Sequence, residues 1–329
     1  MTTIVGKKVG PIGYGLMGLT INEDLSDEVC FAAIKAALDA GCNYLNGGEF
    51  YGTPERNSLT LLRSYFEKYP EDADRAVVNI KGALGPGRRP AGTRESVTAS
   101  IENVMGTLGP VKRIDQFEVA RKDAKCDYEK ETLATVDGYV ASGKIGGLAC
   151  SEIDAYTIRS VAKSFKLTAV ELELSLFTTE PLTNGILEAC GELDIPVLAY
   201  SPLGKGLLSG QLKSMDDIPE GDYKRMMPRF QGENFAKNLE LVAHVEALAK
   251  SKGCTPGQVA INWLLSLSKR PGMPVIIPIP GSTKPERIRE NATVVDLTAQ
   301  DLAEIDKILA SFVTAGQRYP AALMGDVVS

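Results

Sequence analysis

A single alternation dominates this sequence: short β-rich runs and amphipathic helical stretches follow one another eight times. The β-rich runs are residues 9–14, 42–45, 76–81, 113–119, 145–150, 169–174, 196–200 and 274–278. Strands that alternate with helices in this way favour parallel strands joined by crossover helices. The repeat therefore predicts an α/β fold and leaves open whether the sheet closes into a barrel.

Helix start and stop signals stand between the predicted strands. A helix over 27–40 is predicted between Ser26, as its N-cap, and Gly41, which would end it. A threonine followed by a proline, at residues 53–54 and again at 255–256, predicts the first turns of two more helices.

Two α/β architectures fit eight strands, and the segment after the first strand decides between them. A doubly wound sheet needs a G-x-G-x-x-G turn that opens a helix, with an acidic residue about 20 residues further on. Residues 13–18 match that pattern, but residues 19–22 do not continue as a convincing helix. We therefore expect a (β/α)8 TIM barrel, in which active residues lie at the carboxyl ends of the strands.

One connection is much longer than the others. Residues 201–234, after the seventh strand, show no clear helix and are rich in glycine, methionine, proline and charge. Loops of that length inside compact domains are usually functional or disordered. We expect this one to fold over a ligand as a lid, within one barrel domain that spans residues 1–329 and ends in a C-terminal tail.

Composition and charge narrow the function. A net charge of −6 without a long basic run argues against nucleic acid or an anionic membrane as the main partner. One histidine and six scattered cysteines with no C-x-x-C pair argue against a zinc site, and we predict no metal. The first ten residues lack the apolar core of a signal peptide, and no apolar run approaches the roughly 20 residues of a membrane span. We expect a cytoplasmic protein, with the nucleus left open as a second location.

Lys81 is the most unusual residue at a strand end. It closes an apolar run, so it points into the mouth of the predicted barrel and needs a partner there. Tyr51 follows the neighbouring strand, and an ammonium group beside a phenol lowers the pKa of the phenol from its usual value of about 10. Such a tyrosine can give its proton to a carbonyl oxygen as hydride reaches the carbon. The alternative is a surface lysine and an unrelated loop tyrosine.

The last strand runs into a motif suited to an anion. Residues 281–283 form a Gly-Ser-Thr turn that leads into a predicted helix, whose free backbone amides can bind a phosphate. Lys284 and Arg287 add the positive charge that a ribose 2′-phosphate attracts. The alternative is an ordinary capped surface helix.

Together these motifs resemble the aldo-keto reductase superfamily over nearly the whole chain. Segment 43–52 is similar to the family's Asp-Thr-Ala-x-x-Tyr-Gly segment, and Lys81 matches its strand-3 lysine. Segments 200–206 and 280–291 resemble its Tyr-Ser-Pro-Leu-Gly motif and its NADP-binding signature. Within the superfamily, the segments that look most like the fungal pyridoxal reductases are 10–20, 43–52 and 65–70.

The resemblance implies NADPH/NADP+ as the cofactor and assigns residues to it. Those implied to bind it are Gly15, Leu16, Met17, Ser151, Glu152, Glu171, Tyr200, Ser201, Leu203, Gly204, Lys205, Gly281, Ser282, Thr283, Lys284, Arg287, Glu290 and Asn291. Among them Ser151, Glu152 and Glu171 would hold the nicotinamide amide, and Tyr200 would stack on the ring. Segment 201–205 would line the pyrophosphate.

The catalytic residues follow the family in part. Tyr51 would be the general acid and Lys81 would lower its pKa, but the aspartate partner of the lysine is Asn46 here and the strand-4 histidine is Ala120. Asn46 can accept a hydrogen bond from Lys81 but adds no negative charge, which predicts a lower pKa for both Lys81 and Tyr51. Ala120 removes a proton donor and leaves room for a bulkier aromatic aldehyde. The implied substrate pocket is lined by Phe50, Ala120 and Arg121.

Three functions compete on this basis. The resemblance implies reduction of a small aldehyde to a primary alcohol, with pyridoxal to pyridoxine, a step of vitamin B6 metabolism, as the first choice. A broad aromatic-aldehyde or aldose reductase is the second. The third is a weakly catalytic NADPH-binding accessory protein, like the β subunits of potassium channels, for which the departures at Asn46 and Ala120 would be expected. Turnover of NADPH with an aromatic aldehyde separates the enzymes from the accessory protein, whereas the oligomeric state stays open.

Overall fold

Eight parallel strands form the centre of the computed structural model, which describes residues 2–21, 24–325 and 327. Two short strands, β1 (Thr2–Ile4) and β2 (Lys7–Val9), precede them. The eight are β3 (Tyr14–Gly15), β4 (Tyr44–Gly48), β5 (Val77–Gly82), β6 (Gln116–Val119), β7 (Leu148–Ser151), β8 (Leu167–Glu173), β9 (Val197–Tyr200) and β10 (Ile276–Pro278). Each pairs with the next in chain order, and the Gly13 amide donates to the Pro278 carbonyl at 2.9 Å beside β3 and β10. The predicted (β/α)8 barrel is confirmed.

Helices occupy the connections on the outside of the barrel. They are α1 (Met17–Ile21), α2 (Asp27–Asp39), α3 (Ser58–Lys68), α4 (Asp72–Arg75), α5 (Arg94–Leu108), α6 (Ala134–Ala141), α7 (Ala155–Val161), α8 (Ile186–Glu192), α9 (Gly232–Lys252), α10 (Pro256–Leu267), α11 (Pro285–Ala292), α12 (Ala299–Ser311) and α13 (Ala321–Met324). Outward-facing strand residues, such as Val78 and Ile80, form one apolar core with inward-facing helix residues, such as Val97 and Ile101. Strands covered on both faces explain why the β-rich runs are almost continuously apolar.

Two of the predicted helix starts are confirmed. Helix α2 begins after Ser26 and stops just before Gly41, whose φ of +82° lies in the left-handed region that favours glycine. Helix α10 begins after Thr255, and the Thr255 hydroxyl accepts a hydrogen bond from the amide of Gln258. A side-chain cap therefore marks the start of α10, whereas Ser26 occupies the N-cap position of α2 without a capping hydrogen bond from its side chain.

The helix start predicted at residues 53–54 is wrong. Helix α3 begins at Ser58, because the Asn57 side chain accepts hydrogen bonds from the amides of Leu59 and Thr60 and caps the helix there. Residues 53–56 form a turn instead, closed by the Thr53 amide on the Arg56 carbonyl at 2.9 Å. A stronger cap four residues later therefore overrides the threonine-proline signal.

The first predicted strand, residues 9–14, is wrong as a single element. β2 ends at Val9 and β3 begins at Tyr14, and the residues between them cross from the hairpin to the barrel. Pro11 has no amide proton to donate, and the Gly10 amide donates to the Asn43 side chain at 2.9 Å. The following G-x-G-x-x-G segment enters only the five-residue helix α1, so it lacks the setting of a dinucleotide-binding turn.

The hairpin of β1 and β2 covers the amino-terminal end of the barrel. Its strands pair antiparallel, with Thr2 opposite Val9. Its buried residues Ile4 and Val9 pack against inward-facing strand residues, namely Tyr44, Val77, Ala149, Ala169, Leu198 and Ile277. Because this end is filled by apolar side chains, polar chemistry is left to the carboxyl end.

Two irregular segments reach the carboxyl end of the barrel. The long connection after β9 contains 3₁₀ turns over Gly204–Ser209, Met215–Asp217, Tyr223–Met226 and Pro228–Phe230 before α9 begins. The C-terminal tail follows α12. Arg229 of the connection and Arg318 of the tail both contact Glu173 at the end of β8. The predicted irregular connection is therefore present, and it meets the tail at the mouth of the barrel.

Candidate active site

Four polar side chains lie inside the barrel near its carboxyl end. Alternate residues of a strand point to the same face, and the register places Lys81 of β5 opposite Glu118 of β6. Asn46 projects from β4, and Glu171 reaches it from β8 across the interior. None of these four side chains is more than 3% exposed. Asn46, Lys81, Glu118 and Glu171 are called the lysine cluster below.

Lys81 connects the members of the lysine cluster. Its Nζ atom lies 2.7 Å from Glu171 Oε2 and 3.8 Å from Glu118 Oε1, and it donates to Asn46 Oδ1 at 2.5 Å. The Asn46 amide nitrogen donates to the same Glu171 oxygen at 2.6 Å. Asn79 donates to the other oxygen of Glu118. One cation therefore faces two carboxyl groups in a buried volume.

Tyr51 lies beside the lysine cluster, in the loop that follows β4. Its amide donates to the Gly48 carbonyl at 3.1 Å, and the Lys81 ammonium lies 5.7 Å from the centroid of its ring. A Cβ atom at Gly48 would lie 3.1 Å from the ring, so any larger residue there would push the phenol away from the strand. The structure thus brings together the tyrosine and lysine that the sequence paired.

The surroundings shift the pKa values of these groups in a definite direction. Burial raises the pKa of the Tyr51 phenol; Lys81 opposes this rise, and Glu171 and Glu118 add to it. Burial would lower the pKa of Lys81, but Glu118 and Glu171 outweigh it and raise the pKa. Burial and then the charge of Glu171 raise the pKa of Glu118 to about 8. At neutral pH the site therefore holds a neutral phenol, an ammonium group and a Glu118 carboxyl that is largely protonated.

The predicted consequence of Asn46 stays a prediction, because it concerns the difference from a chain with an aspartate at this position. In this structure the pKa values of both groups are raised above their ordinary values: that of Tyr51 by burial first, and that of Lys81 by the charges of Glu118 and Glu171, which outweigh burial. The Glu171 carboxyl group lies 2.7 Å from the lysine. The carboxyl group expected at residue 46 is thus supplied from the opposite wall of the barrel.

The predicted pocket residues occupy the same end of the barrel. The Phe50 and Tyr51 rings meet edge to face, with centroids 4.9 Å apart. Ala120 is buried directly after β6. Arg121 donates to the Ala120 carbonyl at 2.6 Å and to the Ser151 hydroxyl at 3.2 Å. The charge of Arg121 also opposes the rise in the pKa of Tyr51, so a second cation acts on the phenol.

The residues expected at the nicotinamide lie at the ends of β7, β8 and β9, next to Ser201 of the segment expected at the pyrophosphate. Glu152, directly after β7, and Ser201, directly after β9, have left-handed φ values of 53° and 50°. Such strain in non-glycine residues is found mainly at functional sites. The Tyr200 hydroxyl donates to Glu152 at 2.8 Å, and Arg318 of the tail donates to Glu152 at 2.9 Å. The sharp turns therefore aim these side chains at the mouth and at the tail.

A second charged group surrounds Glu173 at the end of β8. Glu173 lies 3.0 Å from Lys205, 3.4 Å from Arg229 and 3.3 Å from Arg318. Burial would raise the pKa of Glu173, but these cations outweigh it and lower the pKa. Glu152, Glu173, Lys205, Arg229 and Arg318 are called the tail cluster below.

The residues expected at the pyrophosphate lie at the start of the long connection, beside the tail cluster. They are Ser201, Leu203, Gly204 and Lys205.

The first strand meets the last in a tight seam. A Cβ atom on Gly15 would lie 2.9 Å from the Ile279 carbonyl oxygen, and one on Gly281 would lie 2.9 Å from the Gly15 oxygen. Leu16 is buried, and Met17 begins α1. The structure therefore brings the predicted cofactor residues of segments 15–17 and 281–284 next to one another.

The predicted anion site lies after β10. Lys284 is exposed and Arg287 partly exposed at the start of α11, and within the described chain neither forms an ion pair. The Ser282 hydroxyl accepts from the Lys284 amide at 3.2 Å, and Thr283 is partly exposed beside it. Glu290 accepts from the hydroxyl of Thr255, the residue before α10, and Asn291 is buried. Two cations without an ion pair among the described residues, together with the hydroxyls of Ser282 and Thr283 at the start of a helix, can bind a phosphate group.

Comparison with known families agrees with this geometry. The sequence model of a protein family described as the aldo/keto reductase family matches residues 11–310 of this chain. This chain belongs to that family. As an aldo/keto reductase it is an oxidoreductase of a family that generally uses NADP(H). A solved glycerol dehydrogenase from Gluconobacter oxydans has a TM-score of 0.82 and 23% identity over 96% of both chains, which shows the shared barrel fold.

Fungal proteins are among the most similar relatives of this aldo/keto reductase. A probable pyridoxal reductase 2 of Schizosaccharomyces pombe is 38% identical, with 97% of each chain covered. A putative pyridoxal reductase of Saccharomyces cerevisiae is 36% identical, with 94% of this chain and 96% of that one covered. An S. pombe aldo-keto reductase whose name specifies NADP(+) is 33% identical over 97% of this chain and 94% of that one. The resemblance to the fungal pyridoxal reductases is confirmed.

Sequence reasoning missed three polar residues of this aldo/keto reductase site, namely Glu118, Arg318 and Tyr319. Glu118 could have been found, because it alternates with Gln116 in a strand that is otherwise apolar. Arg318 and Tyr319 could not, because the tail has no periodicity; the Tyr319 hydroxyl lies 3.2 Å from that of Tyr200. The alternation of a strand can therefore indicate inward residues such as Glu118, whereas nothing comparable indicates the residues of the tail.

Two wider properties can be read from the described residues. No helix among them combines the length and hydrophobicity needed to cross a membrane. The same residues contain no group of three or more His, Cys, Asp or Glu side chains placed to hold a metal ion.

Proposed function

We propose that this protein reduces an aldehyde to a primary alcohol at the expense of NADPH, with Tyr51 as the general acid. The observation that carries the proposal is the position of Lys81, whose buried ammonium lies 5.7 Å from the centroid of the Tyr51 ring. A cation beside a phenol stabilises the phenolate that forms when the proton leaves. Such a pair at the mouth of a barrel is suited to protonating a carbonyl oxygen.

The side chains divide the work of the proposed reaction between them. Bound NADPH supplies the hydride. The Tyr51 phenol is neutral at pH 7, because its pKa is raised, and therefore holds the proton that the carbonyl oxygen needs. Lys81 stays protonated, because its pKa is also raised, and it faces the phenolate left behind. Ala120 supplies no proton, so Tyr51 is the proposed acid at this place.

The residues after β10 fit the adenosine end of NADPH. Lys284 and Arg287 form no ion pair in the described chain, and they follow Ser282 at the start of α11. This set would bind a ribose 2′-phosphate, which NADPH has and NADH lacks. Near the reacting end, Ser151 and Tyr200 would contact the nicotinamide.

Pyridoxal is the proposed aldehyde. Two relatives of more than 35% identity are named as pyridoxal reductases. Phe50 offers an aromatic face beside Tyr51, and the small side chain of Ala120 leaves room for a substituted ring. The guanidinium of Arg121 has donors beyond the two hydrogen bonds it makes, and one could pair with the ionised ring hydroxyl of pyridoxal.

A substrate panel tests this function. The loss of NADPH absorbance is followed with pyridoxal, with benzaldehyde derivatives that lack the ring hydroxyl, and with aldoses. We expect the highest kcat/KM with pyridoxal. A higher kcat/KM with simple aromatic aldehydes or aldoses would rule out pyridoxal as the main substrate and leave the proposed hydride transfer in place. Tight NADPH binding without turnover of any aldehyde would favour the accessory protein and contradict the proposal.

A further inference from the structure

We propose that Glu171 is a positioning residue that sets the charge balance at Lys81 and thereby the acidity of Tyr51. The inference rests on the proposed aldehyde reduction and adds a residue that acts through the lysine. The resemblance leads one to expect a carboxylate at residue 46 and places Glu171 at the nicotinamide. In the structure an amide occupies residue 46, and the carboxylate on the lysine comes from residue 171.

Glu171 is the point at which the contacts of the lysine cluster converge. Its Oε2 atom lies 2.7 Å from the Lys81 ammonium and accepts from the Asn46 amide at 2.6 Å. The Asn46 carbonyl oxygen accepts from Lys81 at 2.5 Å, which closes a triangle of three polar groups. An amide and a carboxylate in contact can exchange positions and keep this pattern, because the amide still donates to the carboxylate.

Glu118 is the competing partner of Lys81, and three observations exclude it from the main role. It lies 3.8 Å from the ammonium, against 2.7 Å for Glu171. Its other oxygen already accepts from Asn79. Burial and the charge of Glu171 raise its pKa to about 8, so it is largely neutral at pH 7. Glu171 is therefore the carboxyl group in direct contact with the lysine.

The pKa of Tyr51 should respond to Glu171 in a predictable direction. The charged groups that face the phenol are Lys81, Glu171, Glu118 and Arg121, and Tyr223 of the long connection is a further titratable neighbour. Without the Glu171 carboxylate, Lys81 and Arg121 act on the phenol with less opposition. Glu118 then ionises more readily, because its repulsion by Glu171 is gone, and this offsets part of the effect. The net change is a lower pKa of Tyr51.

The test compares Glu171→Gln, Asn46→Asp and the double variant. For each protein kcat is measured with saturating NADPH and pyridoxal over a series of pH values. The neutral phenol is the active form, so Glu171→Gln should move the alkaline limb of the profile down by about one pH unit. Asn46→Asp alone brings two carboxyl groups into contact and should lower kcat.

The double variant distinguishes the proposal from a merely structural role. It keeps one carboxylate on Lys81, now from residue 46, so its alkaline limb should return to the wild-type position and most of the lost kcat should be recovered. Losses that simply add in the double variant, or an unmoved limb in Glu171→Gln, would overturn the proposal. If Glu171→Gln fails to fold, the double variant with its restored carboxylate still carries the test.

Two further measurements complete the design. Glu173→Gln removes a buried carboxylate from the same strand but from the tail cluster, and whatever it does to kcat, it should leave the alkaline limb in place. The phenolate absorbance of each protein is also titrated as a difference from its Tyr51→Phe counterpart. This readout needs no turnover, so an inactive wild-type protein would contradict the proposed function while Glu171 could still be tested.

Discussion

The lysine cluster and the tail cluster are both buried at the same end of the barrel, yet their charges are balanced in opposite ways. The lysine cluster sets one cation against two carboxyl groups, and the pKa of Glu118 is raised to about 8. The tail cluster sets three cations against two carboxylates, and the pKa of Glu173 is lowered. The first cluster can therefore exchange a proton near neutral pH, whereas Glu173 in the second keeps its charge.

The two clusters also differ in what assembles them. Every member of the lysine cluster stands on a barrel strand. The tail cluster draws on two strand ends, but its cations come from the long connection and the tail. We infer that the lysine cluster serves the proposed reaction. The tail cluster holds the long connection and the C-terminal tail over the mouth of the barrel.

The largest expected effect separates the chemistry of the lysine cluster from cofactor binding. Tyr51→Phe removes the proton donor and should lower kcat about 10²–10⁴-fold. The Kd for NADPH, measured by fluorescence titration, should stay close to the wild-type value, because the proposed cofactor residues lie elsewhere. A variant that kept more than about a third of wild-type kcat would require a different acid.

The next effect should fall on stability and only on the tail cluster. Arg318→Ala leaves Glu152 and Glu173 buried with less positive charge, and breaking a buried ion pair from one side costs about 3–5 kcal/mol. Urea denaturation measures the loss. The control is Arg159→Ala, which breaks surface pairs with Glu188 and Glu192 and should change stability by less than about 1 kcal/mol. Equal losses would show that the tail cluster does not fix the tail.

A third substitution lies outside both clusters and should change cofactor choice alone. Lys284→Ala removes a cation from the proposed 2′-phosphate site, and one such contact is worth about 1.5–3 kcal/mol. The Kd for NADPH should rise about tenfold or more, with little change for NADH. Calorimetric titration with both cofactors gives the two values. Equal weakening of NADPH and NADH would show that Lys284 does not contact the 2′-phosphate.

The fourth prediction concerns the proton held by Glu118 in the lysine cluster. The folded-state pKa of Glu118 is raised from 4.5 to about 8, so the native protein keeps this proton where the unfolded chain has lost it. Its contribution to stability is complete below pH 4.5 and is lost as the pH rises towards 8. Glu118→Gln cannot titrate and should flatten this decline in the free energy of unfolding across that window.

The matched control for this prediction is Glu188→Gln on an exposed helix position, which should leave the slope of stability against pH as it is in the wild type. If the slope for Glu118→Gln equals that of the wild type, the Glu118 carboxyl group of the wild-type protein is ionised across this pH range. The contrast between the two clusters would then fail.

The sequence predicts the barrel and the pairing of Tyr51 with Lys81, because both depend on short-range rules. Strand periodicity identifies the residues of β5 that point into the barrel. Because β4 and β5 are adjacent, the loop after β4 starts beside the end of β5. The same rules place Glu171 inside the barrel. They do not say which inward residue it meets, because contacts across the interior depend on barrel closure and side-chain length. The contact between the Glu171 carboxyl group and Lys81 was therefore not predicted.

Other features are beyond the sequence for local reasons. At the start of α3 two caps compete, and only the folded turn over residues 53–56 shows that Asn57 prevails. Arg318 lies in a tail with neither hydrophobic periodicity nor a turn signal, so its contacts with Glu152 and Glu173 had no precursor in the sequence.

The most direct test of the account follows the hydride itself. Pyridoxal is incubated with the protein and with NADPH that carries deuterium at C4 of the nicotinamide, each C4 position being labelled in turn. We expect one of the two labels on the new alcohol carbon, one NADPH oxidised per pyridoxine formed, and a sharply slower transfer in Tyr51→Phe. An alcohol carbon free of deuterium with both labels, or NADPH that stays reduced, would contradict it.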